Sequence, residues 1–446
     1  MEDALMIVGT VLLLVLLMLL LDQTFLWSAA KQQWPAGPKR LPLVGNLHKL
    51  NRGGKPLHVT LSEMAGEHGG MMTVWFGGQQ PTIVLSDRDL VWEVMVNKAT
   101  DFGARSLPKI TKIFTADWGT LATCELGDHW QTLRKGLQSC AINPLTISSQ
   151  SQLQEKDIAD LITSLEHEAS LNDGVVEPLP KLRKLVIRLM ARFCFGREFP
   201  NEDHFVEELD LLMLDEGRLM GHTRFADVFS FTRYVPGLWG PFIEAENLKR
   251  RIKELIRPYL IGSTNKTTHP INCFMSFLVS QGLPEEVVIF NLFDLFSLAG
   301  DSTSNTLAWA LGFIIHNEEV QERMYKEIMN HGKLSKMRNM VSTEEVSTAG
   351  MEYVHAVVKE TMRMRPAVVL APVRASADSE LEGLKIRGGT AVMLNLYAVH
   401  HDEKAWKQAN KFMPERFIDQ DAGGWKARRG LLFHLVRGEG FVEEWN

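Results

Sequence analysis

The chain has 446 residues, 45% of them hydrophobic, and a formal net charge of -6 at pH 7. That length suits roughly one large domain or two to three ordinary ones, with enough apolar material for a sizeable core. The acidic balance excludes a nucleic-acid-binding surface, which needs a basic excess. Cys124, Cys140, Cys194 and Cys273 are too scattered for a zinc site or a disulfide framework, as suits a reducing compartment.

Ala4 to Leu21 carries no charge and is mostly leucine, valine and methionine. A helix of about eighteen such residues just crosses a hydrocarbon core of about 30 Å. A cleaved signal peptide is the weaker reading, because Glu2 and Asp3 make the start acidic and no small-residue cleavage site follows closely. Residues 1–22 therefore read as a transmembrane anchor. Lys31, Lys39 and Arg40 follow it, so the positive-inside rule places the body in the cytosol. The sequon Asn265-Lys266-Thr267 then stays unmodified, since glycosylation needs a lumenal face.

Residues 23–45 form a proline-punctuated hinge, Trp34-Pro35-Ala36-Gly37-Pro38-Lys39-Arg40-Leu41-Pro42 followed by Leu43-Val44-Gly45-Asn46, expected to separate anchor from body. Met72–Phe76 and Thr82–Leu85 read as strands of a hairpin turning at Gly77–Pro81. Ser86-Asp87 caps a helix through Val96. Helical periodicity dominates from about 125 to 330, broken by a polar loop at Gly262–Pro270. Asp294–His316 is a long apolar helix and Asn317–Met329 an amphipathic one, followed by a Lys- and Arg-rich loop at His331–Val341. Thr390–Leu396 reads as a strand. The expected fold is mainly α with small β-sheets, in one domain over 46–446.

Several constellations carry chemistry. Trp130 and Arg134, four apart on a helix, present an indole N–H and a guanidinium on one face, donors suited to carboxylates. Phe293–Trp309 contains Ala299-Gly300-Asp301-Ser302-Thr303-Ser304-Asn305-Thr306, a glycine and hydroxyls inside a helix. These are locally unfavourable, and they mark either an opened groove or hydroxyls bonding their own backbone. Glu360 and Arg363 share a helical face and can pair, and Arg416 in Pro414-Glu415-Arg416-Phe417 can complete a buried charge cluster. His400-His401-Asp402 is a poor metal pair, because adjacent histidines diverge.

Glu360-Thr361-Met362-Arg363 followed downstream by Pro-Glu-Arg-Phe resembles the helix K and meander signature of the cytochrome P-450 family. The hinge resembles that of its microsomal members. The resemblance implies the cytochrome P-450 fold and a haem b cofactor. It implies a monooxygenase that inserts one oxygen atom from O2 into a hydrophobic small molecule, in the endoplasmic reticulum membrane. Its electrons would come from NADPH through an NADPH-cytochrome reductase partner, with the basic loop around Lys333, Lys336 and Arg338 on the docking side. Trp130, Arg134 and Arg374 (in Pro372-Val373-Arg374) would meet the haem propionates, and Glu360, Arg363 and Arg416 would form a structural triad. Asp301, Ser302 and Thr303 would relay protons. One register, from Ala299-Gly300, puts Ser302 at the acid position and Thr303 at the alcohol. The preferred one, from Asn305-Thr306 and Trp309, puts Asp301 and Ser302 there. This relay set argues against isomerase or dehydratase chemistry. Phe225, Phe229, Phe231 and Trp239 would line an apolar lid that names no substrate.

The resemblance also implies a cysteine loop after Phe417 to ligate the iron, yet no cysteine follows Cys273. His434 sits among glycines that do not match a ligand loop, and Cys194 reads as a core cysteine at a helix end. The tail from about 425 is therefore expected to be atypical, as after a frameshift, retained intron or early stop. The alternative function is a non-catalytic, membrane-tethered remnant without the axial cysteine.

Overall fold

The computed structural model of the protein describes residues 33–42, 44–50, 54–77, 81–140, 143–198, 204–220, 239–262, 273–331 and 350–418. The anchor over 1–22, the sequon, Phe225, Phe229, Phe231, the basic loop around Lys333, Lys336 and Arg338, and the tail from about 425 lie outside the described residues. Most of the polar loop at 262–270 does too. Among the described residues no helix is long and apolar enough to cross a membrane.

In chain order the elements are α1 (Leu47–Leu50), α2 (Leu57–His68), β1 (Met71–Trp75), β2 (Pro81–Leu85), α3 (Arg88–Trp92), β3 (Ala104–Arg105), α4 (Asp128–Cys140), α5 (Pro144–Ser149), α6 (Ser151–Leu171), α7 (Pro178–Phe195), α8 (His204–Met220), α9 (Gly240–Gly262), α10 (Phe274–Ser280), α11 (Glu285–Ile315), α12 (Glu318–His331), α13 (Glu352–Met364), β4 (Leu370–Arg374), β5 (Ser379–Leu381), β6 (Leu384–Ile386), β7 (Ala391–Asn395) and α14 (Leu396–His400). The protein is thus mainly helical with small sheets. Its sequence reads as one domain from 46 onward, but the chain clusters into two compact units. One holds the described residues up to Leu107 together with Val369–Trp406, and the other holds the rest.

The first unit is built on a five-stranded sheet ordered β1-β2-β7-β4-β3. β1 and β2 pair antiparallel, as the hairpin predicts, and β7 lies parallel to β2 in a pairing that crosses most of the sequence. Alternating strand residues feed a core of Leu50, Leu61, Met72, Val74 and Val84 beneath α2. Asp87 caps α3 by accepting from the Asp89 and Leu90 amides at 2.8 and 3.2 Å, and a π-helical turn extends the helix to Asn97.

The proline-rich segment is not a free spacer. Thr73 of β1 donates its amide to Ala36 and its hydroxyl to Pro35. Asn46, fully buried, donates Nδ2 to the Pro38 and Lys39 carbonyls at 3.1 Å each and accepts the Trp75 amide at 2.8 Å. Arg40 lies 4.3 Å over the Trp75 ring. Prolines remove donors but leave carbonyls, and those carbonyls hold the strap to the sheet.

The second unit packs its helices around α11, a helix of 31 residues that contacts α7, α8's neighbour α9, α10 and α13. It begins at Glu285, not at Asp294. Pro284 stands at its N-cap and Glu285 and Glu286 occupy the first turn, which suits the helix dipole. Val288 to Asp294 are all buried, as expected of a helix surrounded by others. Phe195, Phe205, Phe296 and Tyr259 cluster here with ring centroids 4.9–6.1 Å apart. Cys194 is fully buried near the end of α7, which Gly196 terminates in the left-handed region at φ 66°.

Candidate active site

Glu360 lies near the C-terminal end of α13 with no solvent exposure. The i,i+3 spacing sets Arg363 against it as a fork, with Nε donating to Oε2 at 2.8 Å and Nη2 to Oε1 at 2.9 Å. Oε1 also accepts Arg416 Nε at 3.0 Å and the Met413 amide at 2.9 Å. Arg416 spends its remaining donors on the carbonyls of Lys407, Gln408 and Lys411 at 2.9–3.3 Å. One carboxylate between two guanidiniums leaves a net positive charge in the interior, and the carbonyl dipoles offset part of it. The structure therefore brings Glu360, Arg363 and Arg416 together, and they clasp the loop before Pro414–Phe417 onto α13.

The N-terminal end of α13 is fixed by a different element, α12. Met351 offers no side-chain cap, and Glu327 of α12 accepts the Tyr353 and Val354 amides at 2.8 and 2.9 Å instead. Tyr353 donates its hydroxyl to Glu415 at 3.0 Å; burial and this carboxylate push its phenol up to about 12.

Mid-α11 left two readings open in sequence, an opened groove or hydroxyls bonding their own backbone, and the contacts of Ser302, Ser304 and Thr306 match the second. A Cβ at Gly300 would lie 2.4 Å from the Met213 methyl of α8, so that side chain fills the space on this face. Ser302 donates to the Leu298 carbonyl at 2.6 Å, Ser304 to Gly300 at 2.5 Å and Thr306 to Ser302 at 2.7 Å, each back-bonding its own helix. Thr303 is exposed. The Asp301 carboxylate lies 4.0 Å from Arg183 of α7; burial raises its pKa, Arg183 lowers it, and Asp210 raises it.

A model of the cytochrome P-450 family matches residues 35–430. The chain belongs to the cytochrome P-450 family. It is 45% identical over 394 residues to an (S)-canadine synthase of Papaver somniferum, covering 88% of this chain and 78% of that one. A trifunctional (S)-stylopine, (S)-nandinine and (S)-canadine synthase of Argemone mexicana is 43% identical, covering 89% of this chain and 76% of that one. A zebra fish cytochrome P-450 solved with progesterone superposes with a TM-score of 0.68 at 21% identity, covering 82% of this chain and 85% of that one, a likeness of fold. As a P-450 the chain is by family an oxidoreductase of the monooxygenase class, with a haem iron cofactor and small-molecule substrates.

The donor residues expected for haem lie apart in the two units. On α4, Trp130 is packed against the core and Arg134 is 5% exposed, an indole and a guanidinium of the kind that bind carboxylates. Arg374 ends β4 in the other unit. No described residue fits as a thiolate ligand. All four cysteines are buried, and burial pushes the Cys140 thiol up and the Cys194 thiol well up, against the thiolate form. His400 is buried, while His401 stacks on Tyr397 with centroids 4.0 Å apart. Of the four aromatic residues expected over a lid, Trp239 is described and is exposed.

Two polar residues escaped the sequence reading. Asp294, taken for the start of α11, lies well inside it and is buried, with burial pushing its carboxyl up to about 7. Glu216 of α8 accepts the Ser297 hydroxyl of α11; burial and Asp294 push it up to about 8. The available signal was the lone acid in Phe293-Asp294-Leu295-Phe296.

Proposed function

We propose that this P-450 oxidises a hydrophobic small molecule of plant secondary metabolism, in the line of chemistry for which its relatives are named: canadine, stylopine and cheilanthifoline synthases. The observation that carries the reading is the buried clasp of Glu360, Arg363 and Arg416, which holds the meander loop with complete hydrogen bonding at the carboxylate. In this reading Trp130, Arg134 and Arg374 hold the haem carboxylates. Asp301 passes protons with Ser302, or Ser302 with Thr303, toward the reacting face of α11. The position of Asp301 beside Arg183 supports the register with Asp301 as the acid. Residues 1–22 anchor the chain in the endoplasmic reticulum membrane with the body in the cytosol, where an NADPH-dependent reductase supplies electrons.

A second reading keeps the fold without thiolate ligation. It is favoured by the burial of Cys140 and Cys194, which pushes both thiols up, against the thiolate form. Expressing the full chain and recording the reduced carbon monoxide difference spectrum separates the two. A thiolate-type Soret band supports the monooxygenase; haem uptake with no such band, or no uptake, sinks it in favour of the second reading.

A further inference from the structure

We propose that Arg192 of α7 forms a buried binding site for a small oxyanion, a phosphate or a carboxylate, in the seam between α6 and α7. The site uses neither α4 nor the Glu360 clasp, so it stands apart from the haem reading. Asp157 near the start of α6 meets Arg188 and Arg192 near the end of α7, and Ser164 and Glu168 meet Lys181 near its start. The two helices therefore run antiparallel. Asp157, Ser164 and Glu168 share one face of α6, and Lys181, Arg188 and Arg192 share one face of α7, each set spaced by whole turns. At the Lys181 end the pairing is even, with Glu168 3.3 Å from the ammonium. At the Arg192 end one carboxylate serves two guanidiniums.

Arg188 takes the better share of that carboxylate, donating Nη2 to Oδ1. Arg192 brings Nη1 to 2.6 Å from Oδ2, yet outside hydrogen-bond geometry, and its Nε has no acceptor among the described residues. Arg192 is 5% exposed, so water meets little of this need. A buried charged donor without an acceptor is costly, and it persists in a folded protein where a ligand supplies the acceptor. The end of α7 offers partial negative charge from its dipole, but the Arg192 carbonyl itself is taken by the Gly196 amide at 2.8 Å. Nε and Nη2 make the side-on edge of a guanidinium. Arg363 shows what that edge holds in this protein: its Nε and Nη2 grip the two oxygens of Glu360 at 2.8 and 2.9 Å. A phosphate or carboxylate presents two oxygens at the same spacing, whereas chloride presents a single point. The low exposure restricts the ligand to a small ion.

The test is equilibrium dialysis of the full chain in detergent against radiolabelled inorganic phosphate, with ionic strength held constant by chloride. Wild type should bind about one phosphate per chain, saturably. Arg192→Lys keeps the charge but loses the fork, and should weaken binding about tenfold or more. Asp157→Asn removes the competing carboxylate and should tighten it. Displacement by acetate supports a site for both oxyanions, and phosphate binding that acetate leaves untouched supports a site for phosphate alone. Hydrogen exchange of the wild type locates the ion without a variant, so a variant that does not fold leaves the question answerable. Phosphate should slow exchange over residues 153–161 and 185–195 and leave α9 unchanged. Absence of saturable binding, equal displacement by chloride, undiminished binding by a folded Arg192→Lys, or protection confined to other helices overturns the assignment.

Discussion

Replacing Glu360 with glutamine tests whether the clasp is an electrostatic necessity or only a good fit of shapes. The two side chains are nearly isosteric, so packing is retained. Oε2 now accepts Arg363 Nε at 2.8 Å, and Oε1 accepts Arg363 Nη2, Arg416 Nε and the Met413 amide. Glutamine keeps a single acceptor. If its oxygen stays at Oε1, its amide nitrogen faces Arg363 Nε, donor against donor. If it flips, three donors lose their acceptor. In both cases two guanidiniums, 0% and 7% exposed, remain in the interior with no counter-charge from residue 360. Removing one partner of a buried ion pair costs roughly 3–5 kcal/mol. The assay is urea unfolding followed by far-UV dichroism, comparing midpoints at constant slope, with the pair Glu360→Gln and Arg416→Gln measured singly and together. The double variant should cost about 1–3 kcal/mol less than the sum of the singles, because the second change relieves a charge the first left exposed to no partner. A loss below about 1 kcal/mol for Glu360→Gln, or strict additivity, would refute the electrostatic account.

Two further outcomes follow from the same physics. Asp294→Asn should gain stability relative to wild type as pH rises. The folded carboxyl sits at about 7 against an ordinary 3.8, so its stabilising protonated form is fully present below about 3.8 and is lost as pH climbs through about 7. The rise from 3.8 to about 7 corresponds to at most about 4 kcal/mol; thermal melts from about pH 5 to about pH 8 should show the gap widening, and a gap constant over that range would remove burial as the cause. Asn46→Ala strips partners from two carbonyls and the Trp75 amide. At roughly 1–3 kcal/mol per orphaned buried group, the strap should peel from the sheet, and trypsin should cut after Lys39 and Arg40 faster than in wild type; an unchanged cutting rate would mean that the backbone alone holds it.

The parts of this fold that sequence exposes are those written in local spacing. The β1–β2 hairpin follows from alternation around a Gly- and Pro-bearing turn, and Glu360–Arg363 from a three-residue offset. Arg416 was legible as a partner only through the Pro-Glu-Arg-Phe pattern, and its carbonyl cage at Lys407, Gln408 and Lys411 was not, because backbone oxygens leave no mark in a sequence. The start of α11 was missed because an acid heading an apolar run looks like an N-cap. The better signal was Pro284-Glu285-Glu286, where a fixed φ and two acids meet the positive end of the helix. Gly300 left two readings open. A glycine inside a helix marks a close approach, but whether a ligand or a side chain makes it depends on what stands opposite, and here that is Met213, far back in the chain. The same limit hides Glu216. Its own neighbours on α8 give an ordinary amphipathic helix, and only the fold sets it beside Asp294 and Ser297. A carboxyl becomes informative when its surroundings fail to neutralise it, and that failure is a property of three segments at once: α8, α11 and the loop that carries Thr120. The electrostatics of this interface are therefore a property of the assembled unit, which no one segment of the sequence displays.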